Sequence, residues 1–291
     1  RVSNLDAAQA DQTVVRKGPA VKVAFDDQGN PTKAALGFAR SCGVDISDIG
    51  KEESNKGAWL SFKMTKKGAE TVELIPDAIN ESLNSLPIPK RMRWGDLNSE
   101  FVRPVHWIVL LLGESVIDTT ILDVETGNKT RGHRFHHPEP ITIGHPKEYE
   151  VLLRDVGFVE ADYEVRKERV RTLAEVAAKG QDAVAVIDDS LLDEVTALTE
   201  WPVPVVGTFD EHFLEVPTEA LIETMQKHQK YFPVTGHDNR LLPFFIAISN
   251  IESSDPKQVQ SGNERVIRPR FKDAAFFWEQ DLKNSLESMV P

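Results

Sequence analysis

The stretch from Val105 to Leu112 is almost continuously apolar, and Gly113-Glu114 interrupts it before a second, β-branched run from Val116 to Val124. Two such runs around a glycine turn predict a central β-hairpin, because β-branched side chains fit a pleated surface and glycine tolerates a tight reversal. This hairpin constrains the fold most, since helical periodicity stands on both sides of it.

Before it, residues 31–43 read as a short helix with Ala35, Phe38/Ala39 and Cys42 at helical spacing and Gly43 just past its end. Leu60, Phe62 and Met64 alternate as in a strand. Ile75, Ile79, Leu83 and Leu86 line a helix that stops at Pro87-Ile88-Pro89, where proline removes a donor. After the hairpin, Ile141-Thr142-Ile143 reads as a strand, followed by helices at 146–156, 162–179 and 189–199. Gly180-Gln181-Asp182 reads as a loop. Strands are expected at 203–208 and 241–249, with a helix from Pro217-Thr218 to about Lys230 between them, Thr218 serving as its N-cap. A last helix is expected over Phe271–Leu286. Without a regular βαβ alternation or internal repeat, the pattern is α+β, with mixed or antiparallel sheets and flanking helices. Two packed subdomains are expected, at 1–145 and 146–291, with the boundary between 145 and 185.

The 291 residues carry a formal net charge of −12, with 40% hydrophobic and 27% charged side chains. No apolar stretch approaches the ~20 residues that span a bilayer, so no membrane association is expected. A lone cysteine, Cys42, and the lack of a signal-peptide pattern predict a reducing, cytoplasmic location. The acidic balance opposes indiscriminate wrapping of nucleic acid, so an RNA contact has to be local, and DNA is not an expected partner. The chain opens at Arg1 and closes at Ser288-Met289-Val290-Pro291 directly after a helix-like stretch, as expected of a piece of a longer protein.

Against that acidic background, Thr130-Arg131-Gly132-His133-Arg134-Phe135-His136-His137-Pro138 places two arginines and three histidines together without an acid. Glycine there lets backbone and guanidinium approach one ligand, and Phe135 offers a face for stacking, which suits an anionic, base-bearing partner. The run is expected on a strand or its edge, with His133 and His137 on one side and His136 on the other. Three readings follow: RNA contact, a metal site on His133, His136 and His137 with a carboxylate such as Glu139, or a solvated edge.

Three further clusters combine cations with aromatic or amide groups. Lys90-Arg91-Met92-Arg93-Trp94-Gly95 is followed by Phe101-Val102-Arg103-Pro104, where Arg91, Arg93 and Arg103 can meet phosphate while Trp94 and Phe101 suit a core. Met225 to Pro233 carries Lys227, His228 and Lys230 at a helix end, where cations also complement the helix dipole. Gly262 to Lys272 carries Arg265, Arg268, Arg270 and Lys272, whose spacings of two and three are expected to spread them around a helix or loop. His237-Asp238 lies between two strand-like runs and reads as a hairpin turn. There is no Walker loop, G-x-G-x-x-G, H-E-x-x-H or G-x-S-x-G, and no catalytic residue is assigned.

Lys90-Arg91-Met92-Arg93-Trp94-Gly95, Phe101-Val102-Arg103-Pro104-Val105-His106, Arg131-Gly132-His133-Arg134-Phe135, Glu200-Trp201-Pro202, His228-Gln229-Lys230-Tyr231-Phe232-Pro233 and Gly262-Asn263-Glu264-Arg265-Val266 occur in this order. The ordered set resembles the N-terminal half of the beta-subunit family of bacterial tetrameric (alpha2 beta2) glycyl-tRNA synthetases, along nearly the whole chain. The resemblance implies that a separate alpha subunit holds the class II core, where ATP with Mg and glycine react, and that no cofactor binds this part. It further implies tRNA(Gly) and the alpha subunit as partners, residues ahead of Arg1, and a C-terminal half with HD-like and anticodon-binding domains. Arg91, Arg93, Arg103, Arg131, His133, Arg134, Phe135, Lys227, His228, Lys230, Arg265, Arg268, Arg270 and Lys272 are then candidate tRNA or subunit contacts. The alternatives are a metal-dependent hydrolase built on the histidine cluster and a pure protein-interaction scaffold.

Overall fold

The computed structural model describes residues 2–54 and 57–283 of the chain. The end of the expected last helix, 284–286, lies outside the described residues. Helices and several small sheets make a mixed α+β protein, as the pattern of periods predicts. The chain divides into two compact units: residues 1–104 with 119–123, and residues 105–118 with 124–291.

In the first unit, the alternation of Leu60, Phe62 and Met64 is realised in Gly57–Lys66, the central strand of an antiparallel sheet. Gln12–Ala20 pairs on one side and Gly50–Ser54 on the other. Fully buried Leu60, Ala24 and Ala35 form its small core, ringed by Phe38, Ile46 and Ile49. The expected helix occupies Lys33–Cys42, and Gly43 ends it in the left-handed region at φ 73°, a conformation that carries no Cβ penalty in glycine. Gly18 permits Phe38 to pack, since a Cβ there would stand 2.7 Å from the ring. The helix expected before Pro87 is Thr71–Ser85.

The second unit contains an antiparallel four-stranded sheet in the order Val184–Ala185, Phe232–Thr235, Leu241–Ser249, Val203–Thr208. Period-two alternation gives this sheet two apolar faces. Phe232, Val234 and Ile246 pack with Val170, Ala174 and Ala178 of the helix Tyr163–Lys179 and with Leu191, Leu192 and Val195 of the helix Asp189–Leu198. On the opposite face Leu241, Phe245 and Ala247 meet Phe213, Leu221, Met225 and, from the helix Pro256–Asp281, Ile267 and Phe271. Gly207 pairs with Phe245, whose ring occupies the space a Cβ would need at 2.2 Å.

Several expectations change in detail. The central hairpin shrinks to Leu111–Leu112 with Ser115–Val116, turning through Gly113 at φ 61°. Its second strand breaks where Leu122 and Asp123 adopt φ 53° and 60°. Ile108–Val109 instead pairs in parallel with Thr126–Gly127. Residues 145–185 belong to the second compact unit, in which Ile141 and Ile143 pack on Leu153 of the helix Tyr149–Asp155. Thr218 is the first residue of the helix Thr218–Glu223, with Pro217 at the cap position and no side-chain cap bond. That helix continues as a π-helix over Thr224–Gln229. The last helix starts at Pro256, ahead of the expected Phe271, because Asp255 caps it by accepting from Gln258 N. His237-Asp238 lies in the expected turn, closed by Gly236 N donating to Arg240 O at 2.9 Å.

Candidate functional site

The run Thr130–Pro138 leaves its strand early. Lys129–Arg131 pairs with Pro140–Thr142, but from Gly132 the chain curls into a turn in which His137 N donates to His133 O at 2.8 Å. The expected strand alternation of His133, His136 and His137 is therefore replaced. Gly132 has a different role from the one its sequence context suggests. It lies against Gly157, and a Cβ on Gly132 would come within 2.5 Å of Gly157 O. His133 N donates to that same oxygen at 2.7 Å. Glycine here lets two backbones approach each other, not a backbone approach a ligand.

His133 is 3% exposed and acts inward. Its Nε2 is 2.7 Å from Asn250 O, while its Nδ1 lies 3.3 Å from both Phe135 N and His136 N. Among the described residues a carbonyl faces Nε2 and N–H donors face Nδ1, so this network assigns the proton to Nε2. His136 Nε2 accepts from Glu252 N at 3.0 Å. These ring nitrogens serve the backbone, which opposes the metal reading. Among the described residues no three His, Cys, Asp or Glu side chains converge on a metal position.

Asn250 joins this loop to a second motif. Its Oδ1 accepts from Glu200 N at 2.6 Å and Trp201 N at 3.0 Å, while its carbonyl holds His133. Glu200-Trp201-Pro202 and Arg131–His137, separate in sequence, thus share one residue between the strand Leu241–Ser249 and the helix Pro256–Asp281. Rings continue the connection. His136 is 4.6 Å from His133 and 5.2 Å from Phe158, which meets Trp201 edge-on at 5.4 Å. Arg169 lies over Trp201 at 3.9 Å, a favourable cation–π distance. The sequence reading missed Gly157, Phe158, Arg169, Asn250 and Glu252. Only Asn250 had a local signal, as an Asn opening the turn-rich Ser249–Asp255 stretch.

What the loop turns outward is Arg131, Arg134 and Phe135. Phe135 is 70% exposed, and the Arg134 guanidinium carbon is 5.7 Å from its ring. Arg131 Nη1 donates to Pro138 O at 3.3 Å, which orients its guanidinium across the loop. An exposed ring beside the Arg134 guanidinium, with Arg131 exposed on the same turn, can stack an unpaired base while the arginines meet phosphates.

The remaining candidates divide between local structural duties and open surface. Arg91, Arg93 and Arg103 belong to the first compact unit. Arg91 Nη2 donates to Leu83 O and Asn84 O at the end of its helix, and Arg93 faces Glu100 at 3.8 Å. Lys227 is 2.6 Å from Glu223, whose exposed carboxyl it holds below the usual range by a hydrogen bond. Lys230 is 2.8 Å from Glu194, and His228 is exposed. Arg265, Arg268, Arg270 and Lys272 are exposed on the helix Pro256–Asp281. Contrary to the expected scatter, Arg265, Arg268 and Lys272 stand at i, i+3 and i+7 and share one face, with Arg270 on the other flank. Arg268 is 3.9 Å from Asp210, and Arg265 Nε donates to Ser261 O at 3.2 Å. Beneath them Glu264 ties the helix to the sheet by accepting from Thr208 N and Oγ1 and from Gln260. Burial pushes its carboxyl up, but those three donors outweigh burial and hold it below the usual range.

Among the described residues no helix is long and apolar enough to cross a membrane. The profile of the glycyl-tRNA synthetase beta-subunit family matches residues 1–291. The glycine–tRNA ligase beta subunit of Marinobacter nauticus is 53% identical over 291 residues, covering 100% of this chain and 42% of that protein. The beta subunit of Hahella chejuensis is 54% identical over 289 residues, 99% of this chain and 42% of its own length. That of Pseudoalteromonas translucida is 51% identical over 290 residues, again 42% of its length. The chain thus spans less than half the length of these relatives.

Proposed function

The chain belongs to the glycyl-tRNA synthetase beta-subunit family, and we propose that it is the part of a glycine–tRNA ligase that grips and orients tRNA(Gly). The observation that carries this reading is exposed Phe135 with the Arg134 guanidinium beside its ring, on a turn that also exposes Arg131 and is fixed through His133 and Asn250. A stacking ring with cations on the same turn recognises an unpaired base and its phosphates, and a rigid mount lowers the entropy lost on binding. The Arg265, Arg268 and Lys272 face supplies a second set of phosphate contacts. Adenylate formation from glycine and ATP with Mg takes place on the alpha subunit, its partner in the cytoplasm. This part contributes orientation, by which the reacting tRNA end is held close to the adenylate.

With about four phosphates neutralised, log affinity for tRNA falls against log salt with a slope of roughly −3 to −4. In the full-length beta subunit, Arg131→Ala with Arg134→Ala reduces the magnitude of that slope by about 1 to 2. An unchanged slope and affinity in this double variant overturns the reading. In that case a second reading gains, subunit assembly, which one specific observation favours. Phe276, Phe277, Trp278 and Leu282 are exposed at the end of the long helix, and clustered aromatic anchors suit a protein interface.

A further inference from the structure

In the first compact unit the strand Gly57–Lys66 outruns one of its two neighbours. Gly50–Ser54 pairs with it only as far as Ser61, whereas Gln12–Ala20 continues to the Gln12–Lys66 pair. Residues 12–17 and 62–66 therefore form a two-stranded ribbon, with no third strand beside it among the described residues. Its far end is tied down. Gln9 N donates to Ala69 O and Gly68 N donates to Asp11 Oδ1, both at 2.9 Å. Gly68 makes that closure possible, since a Cβ there would fall 1.8 Å from Gln9 O.

The charge on this ribbon has one sign. Arg16, Lys17, Lys63, Lys66 and Lys67 fall within residues 12–17 and 62–67, which hold no acid, in a chain of net charge −12. Arg16 and Lys17 are engaged inside the fold: Arg16 Nη1 donates to Ser41 O at 2.9 Å, and Lys17 Nζ lies over the Trp59 ring at 3.9 Å. Lys63, Lys66 and Lys67 are exposed, and among the described residues no hydrogen bond or ion pair engages them. Strand alternation sets Lys63 on one face, across from Val15, and Lys66 on the other, across from Gln12. Val14, Val15 and Met64 stay exposed among them. Lysines on an open strand also discourage edge-to-edge pairing, but charge of either sign serves that purpose, so it leaves the single sign unexplained.

Unanswered cations of one sign select a polyanion. Lysine ammoniums meet phosphates as point charges and read no base. A ribbon with cations on both faces meets phosphates on two sides at once, an arrangement supplied by the two backbones that flank the wide, shallow minor groove of an RNA helix. We infer that the ribbon of residues 12–17 and 62–67 grips the phosphate backbones of double-helical RNA through Lys63, Lys66 and Lys67. The inference rests on the RNA role proposed above, names a base-paired stem as the part gripped, and shares no residue with the Phe135 turn.

The test is a fluorescence-anisotropy titration of the full-length beta subunit, over a series of salt concentrations. Its probes are a blunt RNA duplex of about 20 base pairs and a single strand of the same length. One variant combines Lys63→Gln, Lys66→Gln and Lys67→Gln; a second places arginine at the same three positions and keeps the charge. The wild type is expected to bind the duplex more tightly than the single strand, and duplexes of unrelated sequence alike. The glutamine variant weakens duplex binding at least about tenfold and reduces the magnitude of the salt slope by roughly 2 to 3, while the arginine variant retains both. Unchanged duplex affinity and slope in the glutamine variant overturns the proposal, as does tighter binding of the single strand. Intact duplex binding with lost association of the alpha subunit also overturns it, and assigns the ribbon to an acidic protein surface. Phe135→Ala leaves duplex binding unchanged, because a duplex offers no unpaired base. A tRNA defect in Phe135→Ala beside a normal glutamine variant therefore keeps the turn reading and ends this one, and the opposite pattern does the reverse.

Discussion

The Arg131–His137 turn and the Lys90–Arg103 segment look alike as sequences, with cations interleaved with aromatic residues, yet the fold uses them differently. In the first, the polar groups that face inward are histidines and backbone, and the arginines and phenylalanine remain outside. In the second, Arg91 is consumed as a helix-end partner of Leu83 O and Asn84 O, and Arg93 faces Glu100. A cationic cluster is therefore a recognition surface only to the extent that its charges are not already answering local carbonyls and carboxylates. By that measure Arg134 is a stronger candidate than Arg91 or Arg93, while Arg131 gives one bond to Pro138 O at 3.3 Å and stays exposed.

The sharpest way to break this comparison is at Gly132. Gly132→Ala forces a Cβ to within 2.5 Å of Gly157 O, and relieving it requires two backbones to separate. Thermal unfolding of the full-length protein should show a loss of about 3 kcal/mol; a loss below about 0.5 kcal/mol contradicts the tight approach. Next comes Asn250→Ala, which strands the Glu200 and Trp201 N–H groups and should cost about 2 kcal/mol. Asn250→Asp keeps the acceptor and should recover most of it. Loss of tRNA affinity should track the alanine variant and not the aspartate one, because a displaced anchor also displaces Phe135.

In the contrasting segment, Arg91→Ala should cost about 1 kcal/mol through two lost bonds to helix-end carbonyls. It should leave the salt dependence of tRNA binding unchanged. A slope that falls by about one charge on removing Arg91 would equate the two segments and break the comparison.

The smallest effect concerns pH. Glu264 has its folded pKa below the ordinary 4.5, so the native state binds fewer protons than the unfolded chain in acid. Its stabilising share is present above that ordinary value and is lost as pH falls below it through the folded pKa. After solvent screening the share is under about 1 kcal/mol. Glu264→Gln should flatten the stability profile between about pH 5 and 3, measured by urea midpoint; an unaltered profile contradicts the role given to its three donors.

Local periodicity made much of the fold legible. The helices at 33–42 and 163–179 and the strands at 203–208 and 241–249 fall where Ala35/Ala39, Val170/Ala174 and the alternating apolar runs place them. The central hairpin was overread because an apolar run does not say which backbone groups it pairs with. The parallel partnering of Ile108–Val109 with Thr126–Gly127 is a tertiary choice. The same limit applies to the site. Arg131, Arg134 and Phe135 announce themselves by chemistry, whereas Gly157, Phe158 and Asn250 become part of it only through folding. Gly132 and His133 were visible for the wrong reason, since their work is to hold the turn. The stripe of Arg265, Arg268 and Lys272 was legible in principle and became clear once the helix was seen to begin at Pro256.

The most direct measurement is the affinity of the complete enzyme for tRNA(Gly) with Phe135→Ala. Because the ring is 70% exposed, its removal should leave thermal stability within about 0.5 kcal/mol of wild type. Loss of one stacked base should weaken tRNA binding by about 1 to 3 kcal/mol, roughly fivefold to 150-fold. Equal stability with equal tRNA affinity would contradict the claim that this turn is an RNA-gripping surface.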